Sequence, residues 1–118
     1  MFGHGLGFFN PVDDRFHIHG VTGPDEYTTV VNDNLFTNLM ARRNLRDAVE
    51  VVEWLRAEHP EAAAALASRL DVDAAEVEGW RRCAEAMYVP FDTERGIHPQ
   101  DESFLEKEAW DFASTPID

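Results

Sequence analysis

Between residues 32 and 58 the apolar side chains recur at steps of three and four residues, the spacing that places them on one face of an α-helix. They are Leu35, Leu39, Met40, Leu45, Ala48, Val49, Val52 and Leu55. The charged residues of the segment fall mostly on the other faces. The pattern predicts one long helix that begins near Asn32 or Asp33, with Asn32 as its cap, and ends near Glu58.

Two shorter helices are predicted after it. Pro60 is suited to the first turn of a helix and precedes an alanine-rich stretch, residues 61–70. Asp73 and Glu76 have the spacing of a capping box, which predicts a third helix over residues 74–87. From Tyr88 onward the helical spacing fails, and prolines mark loops. Most of the chain is therefore predicted to be helix and loop.

Composition limits the classes of function. With 118 residues the chain forms one domain at most. Ten basic and 23 acidic residues give a net charge of −13, which argues against nucleic acid or an anionic membrane as a partner. Cys83 is the single cysteine, predicted to be a buried, reduced thiol, and Trp80 of the same helix is predicted to lie in the core.

The N-terminus has neither the basic region nor the long apolar run of a signal peptide, and no segment is long and apolar enough to span a membrane. These features predict a cytoplasmic protein. Residues 1–15 mix glycines with phenylalanines, and they lack the Lys-Ser/Thr that would complete a phosphate-binding loop. We interpret this segment as flexible backbone.

Aliphatic and polar residues alternate from Phe16 to Val21, which predicts a short extended segment. On a strand, His17 and His19 point to one face and can bind zinc together. Because no third ligand stands at a persuasive spacing, we predict no metal. The two histidines are expected to form hydrogen bonds with Glu26, a sugar or the backbone.

The turn Gly23-Pro24 restricts the backbone just before two adjacent carboxylates, Asp25 and Glu26. If one of them loses solvent contact, its pKa rises and it can act as a general acid near neutral pH. The alternative is that Asp25 caps the following helix and Glu26 is solvated. The density of histidine, tyrosine and asparagine nearby favours a sugar site over a plain surface turn.

Three stretches of the chain resemble glycoside hydrolase family 65, which contains trehalose, maltose and kojibiose phosphorylases and trehalose hydrolases. The first two lie close together and the third follows about 60 residues later. They are Gly20-Val21-Thr22-Gly23-Pro24-Asp25-Glu26-Tyr27, Val31-Asn32-Asp33-Asn34-Leu35-Phe36-Thr37-Asn38-Leu39-Met40-Ala41, and Pro99-Gln100-Asp101-Glu102-Ser103-Phe104 with Leu105-Glu106-Lys107. The resemblance covers residues 16–118 and does not extend to residues 1–15.

The resemblance implies an all-α fold: three to four helices with long loops, forming part of an (α/α)6 barrel. It implies that residues 16–118 are a fragment of the catalytic domain, with either the rest of the barrel or a second copy as partner. It also implies inverting cleavage of an α-linked disaccharide with Glu26 as general acid. Inorganic phosphate would be the co-substrate of a phosphorylase, and no cofactor is expected. A trehalose-type hydrolase and a truncated, non-catalytic fragment remain as alternatives.

Several residues around Glu26 are candidates for sugar binding, namely His19, Asp25, Tyr27, Asn34 and Gln100. Asn34 and Asn38 lie one helical turn apart, so both could face the site or both could cap local backbone. His98 and Gln100 belong to a loop that could contact the sugar or serve only the structure.

Overall fold

The computed structural model describes residues 6–25, 27 and 29–114. Within them two short strands come first and three α-helices follow. They are β1 (Phe8–Asn10), β2 (Arg15–His17), α1 (Leu35–Glu58), α2 (Pro60–Leu70) and α3 (Ala74–Ala86), followed by a 3-10 turn at Phe104–Glu106. The predicted helices are thus confirmed.

The core lies where α1 and α3 pack against each other and against the chain around β2. Both α1 and α3 contribute their apolar stripes, as the three- and four-residue spacing predicts. The buried residues of the core are Phe16, Ile18, Leu45, Val49, Val77, Trp80, Cys83, Ala84 and Met87. Trp80 is 6% exposed and Cys83 1% exposed, so the predicted burial of both is confirmed.

The start of α1 differs from the prediction by two residues. Asn34, and not Asn32, is the cap: its side-chain oxygen accepts a hydrogen bond from the backbone N–H of Thr37 at 3.0 Å. Asp33 cannot belong to the helix because its backbone has a positive φ of 49°. At α3 the predicted cap is confirmed, since the Asp73 carboxylate accepts a hydrogen bond from the N–H of Glu76 at 2.7 Å.

The all-α prediction is incomplete, because β1 and β2 form an antiparallel two-stranded sheet with Phe8 opposite His17 and Asn10 opposite Arg15. The extended conformation predicted from Phe16 is present in β2, whereas β1 lies in the segment interpreted as flexible. Gly7 precedes β1 against the Phe16 ring, where a Cβ atom would lie 2.5 Å from a ring carbon. Strand pairing therefore brings the N-terminal segment onto the core.

The described chain is long and thin for its length. Its radius of gyration is 19.0 Å, whereas about 13–14 Å is typical of a compact domain of this size. Trp110 and Phe112 are 70% and 83% exposed. None of the helices that the structure describes is long and apolar enough to cross a membrane.

Candidate functional site

The segment that joins β2 to α1 is a loop with a closed neck. The backbone N–H of Asp33 donates to the carbonyl of Ile18 at 2.8 Å, and Val21 and Val31 exchange two backbone hydrogen bonds of 3.0 and 2.9 Å. We call these paired residues the neck and residues 22–30 the tip. The neck therefore closes the loop at both of its ends.

The Asp33 carboxylate lies at the base of this neck and is only 1% exposed. Its Oδ1 accepts hydrogen bonds from the backbone N–H of Ile18 at 3.1 Å and from the side chain of Asn38 at 3.0 Å. Its Oδ2 lies 2.7 Å from Nδ1 of His17 and 3.2 Å from Nε2 of His19. One buried side chain therefore connects the end of β2, the loop and the first turn of α1.

His17 bridges two carboxylates. Its Nδ1 faces Asp33, its Nε2 lies 3.0 Å from Oδ2 of Asp13, and its ring stacks on Tyr88 with a centroid distance of 4.6 Å. Burial disfavours the imidazolium, but the hydrogen bonds and charges of Asp33 and Asp13 outweigh that effect and raise the pKa of His17. The geometry suits a charged ring that donates from both nitrogens.

The same cluster contains the donor set of a metal site. Ligand atoms of His17, His19 and Asp33 lie within 4.8 Å of one another. Asp33 is the third group that the sequence did not reveal, because it stands 14 residues after His19 and enters the cluster only through the folding of the loop. In the structure these atoms make hydrogen bonds with one another, and the absence of a metal stays a prediction.

The two distant motif blocks meet at this loop. The carbonyl of Gln100 accepts hydrogen bonds from the backbone N–H of Leu35 at 2.8 Å and from the side chain of Asn34 at 3.3 Å. The side-chain amide of Gln100 donates to the carboxylate of Asp25 at 2.6 Å. Folding therefore brings the Pro99–Lys107 block against both the tip of the loop and the start of α1.

The predicted site residues have different surroundings. Glu26 lies outside the described residues. Its neighbours Asp25 and Tyr27 are exposed, Tyr27 to 98%, and the side chain of His19 is 38% exposed. Gln100 is half-buried.

The two asparagines of α1 use their side chains inside the fold. Asn34 is fully buried and caps α1, while Asn38 is also fully buried and donates to Asp33 and to the carbonyl of Tyr88. The sequence left open whether both asparagines face the site or cap local backbone. Asn34 caps local backbone, whereas Asn38 connects α1 to Asp33 and to Tyr88. Nδ1 of His98 lies 2.6 Å from the carbonyl oxygen of Pro90, a contact that orders its own loop.

A second buried carboxylate, Asp101, was also missed by sequence reasoning. It is fully buried, and its Oδ1 accepts hydrogen bonds from the backbone N–H and the hydroxyl of Ser103 at 3.0 and 2.9 Å. Its Oδ2 lies 3.5 Å from the ammonium of Lys107. These contacts shape the Pro99–Lys107 block from within.

Comparisons with known proteins agree with the motif blocks. The model of the glycosyl hydrolase family 65 central catalytic domain matches residues 1–116. A trehalose phosphorylase of Geobacillus stearothermophilus is 46% identical over 104 residues, covering 88% of this chain and 14% of that protein. A maltose phosphorylase of Bacillus subtilis is 37% identical over 100 residues, covering 85% of this chain and 12% of that protein.

The fold has a known counterpart as well. A human-microbiome protein assigned as a kojibiose phosphorylase superimposes with a TM-score of 0.70 at 22% identity, covering 89% of this chain and 14% of the other. The chain therefore spans a small part of the length of these proteins, and its fold is one that they contain. On the match over residues 1–116, the chain belongs to glycosyl hydrolase family 65, within the central catalytic domain.

Proposed function

We propose that the loop between β2 and α1 supplies the general acid, Glu26, for the inverting phosphorolysis of an α-linked glucose disaccharide of the trehalose, maltose or kojibiose type. Family membership and the names of the similar phosphorylases support this class of reaction. The position of Glu26 immediately after the Gly23-Pro24-Asp25 turn supports the choice of residue.

The observation that carries the proposal is the contact between the two motif blocks. Asp25 and Gln100 are 75 residues apart in sequence, and their side chains are joined by a hydrogen bond of 2.6 Å. Polar groups from separate parts of a chain that converge beside a carboxylate loop are typical of a sugar-binding site. On this basis we infer that Asp25, Tyr27, His19 and Gln100 line the sugar site, and that Asn34 supports it as the cap of α1.

The proposed reaction needs one protein carboxyl group. Glu26 gives its proton to the glycosidic oxygen as the bond between that oxygen and the anomeric carbon breaks. Inorganic phosphate attacks the anomeric carbon from the opposite face and forms the new C–O bond. An α-linked substrate is thereby converted to the β-anomer of glucose 1-phosphate and free glucose, and Glu26 is left as a carboxylate that takes up a proton before the next turnover.

We further infer that the chain works as part of an (α/α)6 barrel. The chain is extended and exposes aromatic residues, including Trp110 and Phe112. Both features are expected of a segment whose core is completed by neighbouring helices. The additional partner is then the remainder of the barrel, and a homo-oligomer is the alternative. A cytoplasmic location stays a prediction from the sequence.

The proposal is tested by measuring disaccharide cleavage with and without inorganic phosphate. The chain is assayed by itself and after transfer into the Geobacillus trehalose phosphorylase in place of the matching segment. Substituting Glu26→Gln should lower the rate at least about a hundredfold, the lower range for general-acid help. Glu61→Gln, an exposed glutamate on α2, is the matched control and should keep the rate.

The outcomes separate the candidate functions. Glucose 1-phosphate formed only with phosphate supports phosphorolysis, whereas cleavage that proceeds equally well in its absence indicates a hydrolase. Near-normal turnover of the Glu26→Gln variant would remove Glu26 from the role of general acid. Complete inactivity of the transferred segment with correct folding would favour a non-catalytic fragment.

A further inference from the structure

His17 and Asp33 form a buried, ionisable pair at the base of the loop between β2 and α1. Both side chains are buried, at 6% and 1% exposure, and their Nδ1 and Oδ2 atoms are 2.7 Å apart. Burying two ionisable side chains is unfavourable unless both are paired and hydrogen-bonded. The pair therefore exists because the surrounding groups satisfy it, and its position in the fold indicates what it does.

That position is the neck of the loop. Asp33 follows the tip in sequence and His17 precedes it, so their contact joins the two ends of the segment that carries Glu26. Asp33 also accepts the backbone N–H of Ile18 through its second oxygen, at 3.1 Å. The Val21–Val31 backbone pair closes the loop beyond these contacts.

We propose that His17 and Asp33 are a positioning pair, which locks the neck and so fixes the direction in which the loop presents its acid, a role that rests on the function proposed above. Neither residue needs to touch substrate for this role. A misplacement of about 1 Å in a catalytic group can reduce a rate by about a hundredfold. Orientation of the loop is thus a sufficient reason for a buried ionic pair at its base.

Each ring nitrogen of His17 faces a carboxylate, an arrangement that suits a charged ring. When the ring is charged it donates to Asp33 from Nδ1 and to Asp13 from Nε2. When it is neutral, one nitrogen carries a lone pair that faces a carboxylate, and one of the two contacts is lost. The other titratable groups around the ring are His19, which shares Oδ2 of Asp33 at 3.2 Å, and Tyr88, which stacks on its face.

The first test is amide hydrogen exchange of the 118-residue chain, read as protection factors. Substituting His17→Gln should lower the protection of the Val21 and Val31 amides about tenfold. Amides in the middle of α1, such as that of Leu45, should keep theirs. Arg43→Gln is the matched control, because it removes an exposed ion pair with Asp47 far along α1.

A double-mutant cycle separates a specific pair from general damage to the fold. If His17 and Asp33 act as a unit, the double variant His17→Gln with Asp33→Asn should lose no more protection at the neck than the worse single variant. Strict additivity of the two losses would overturn the pairing. Nitrogen-15 shifts of the His17 ring should show both nitrogens protonated below about pH 6.5, where a raised pKa keeps the ring charged, and a neutral ring there would contradict the lock.

Kinetics of phosphorolysis give a measurement that a purely structural role would not affect in the same way. His17→Gln should lower kcat/KM about ten- to a hundredfold in protein that circular dichroism shows to be folded, because the loosened loop carries the acid and the sugar contacts Asp25 and Tyr27. In the Glu26→Gln background, His17→Gln should still lower the protection of the Val21 and Val31 amides, and unchanged protection there would overturn the inference.

The outcomes distinguish this inference from the proposed function. If wild-type protein has no phosphorolytic activity but His17→Gln loosens the neck, the proposed function fails and the lock is supported. If Glu26 is essential and His17→Gln leaves the neck and kcat/KM unchanged, the lock fails alone. Stoichiometric binding of added Zn²⁺ that His17→Gln abolishes would show that the cluster is a metal site, and would also overturn the lock.

Discussion

Replacing Asp33 tests how much of the fold depends on one buried carboxylate. Alanine at this position removes the acceptor of four hydrogen bonds, from Ile18, His17, His19 and Asn38. His19 is half-exposed and can turn to water. Stranding the donors that stay buried costs about 1–3 kcal/mol each.

Loss of the hydrogen-bond network alone should lower the free energy of unfolding by about 3–5 kcal/mol, the range also found when one member of a buried ion pair is removed. Alanine must in addition adopt the left-handed backbone at φ 49°, which costs about 1–2 kcal/mol. Asp33→Asn keeps an acceptor for Ile18 and Asn38 and tolerates that backbone. It should therefore cost only about 1–2 kcal/mol.

The assay is urea unfolding followed by far-UV circular dichroism, with tryptophan fluorescence, to which the buried Trp80 contributes, as a second probe. Asp47→Ala, which breaks the exposed Arg43–Asp47 pair, is the control and should change the free energy of unfolding by less than about 0.5 kcal/mol. If Asp33→Ala and Asp33→Asn cost the same, or if alanine costs under about 1 kcal/mol, the buried network does not support the fold as described.

Three further predictions concern single elements. Gly7→Ala should lose about 1–3 kcal/mol of stability by urea unfolding, because its Cβ would lie 2.5 Å from the Phe16 ring and 2.6 Å from the carbonyl oxygen of His17; an unchanged midpoint would contradict that packing. Asn34→Ala should cost about 1–2 kcal/mol by the same assay through loss of the cap at Thr37, and an unchanged helix signal and midpoint would show that the cap is dispensable. Because the pKa of His17 is raised, its contribution to stability is complete below its unfolded pKa of about 6.5 and is lost as pH rises through the folded pKa. The free energy of unfolding should fall by at most about 1.4 kcal/mol per pH unit in that range. Subtracting the pH profile of His17→Gln from that of the wild type should isolate this fall, and a flat difference would refute it.

The helices could be predicted from the sequence because their signals are local. The apolar stripe of α1, Pro60 at the first turn of α2 and the Asp73–Glu76 box of α3 each lie within a few residues of the element they define. β1 could not be predicted in this way. It is a three-residue strand supported by its pairing with β2, the close packing of Gly7 and the contact of Phe9 with Phe16, all of which depend on tertiary structure.

The candidate site was predictable in its motifs and not in its connections. Gly23-Pro24-Asp25-Glu26 is visible in the sequence, whereas the contact of Asp25 with Gln100 spans 75 residues. The sequence pattern places Asp33 at the start of the helix, where a carboxylate is favourable. Its burial follows from the positive φ of its backbone, which turns its carboxylate back toward the end of β2.

Asp33 shows why a polar group and not an apolar one stands at this junction. Four segments meet there: the end of β2, the loop, the first turn of α1 and, through Asn38, the chain at Tyr88. Apolar contacts would hold these segments together without fixing their angles, since the hydrophobic effect has no direction. Hydrogen bonds to two carboxylate oxygens fix the angles between the segments. If the loop carries the acid as proposed, substitutions at His17 and Asp33 should therefore change turnover even where the folded state survives.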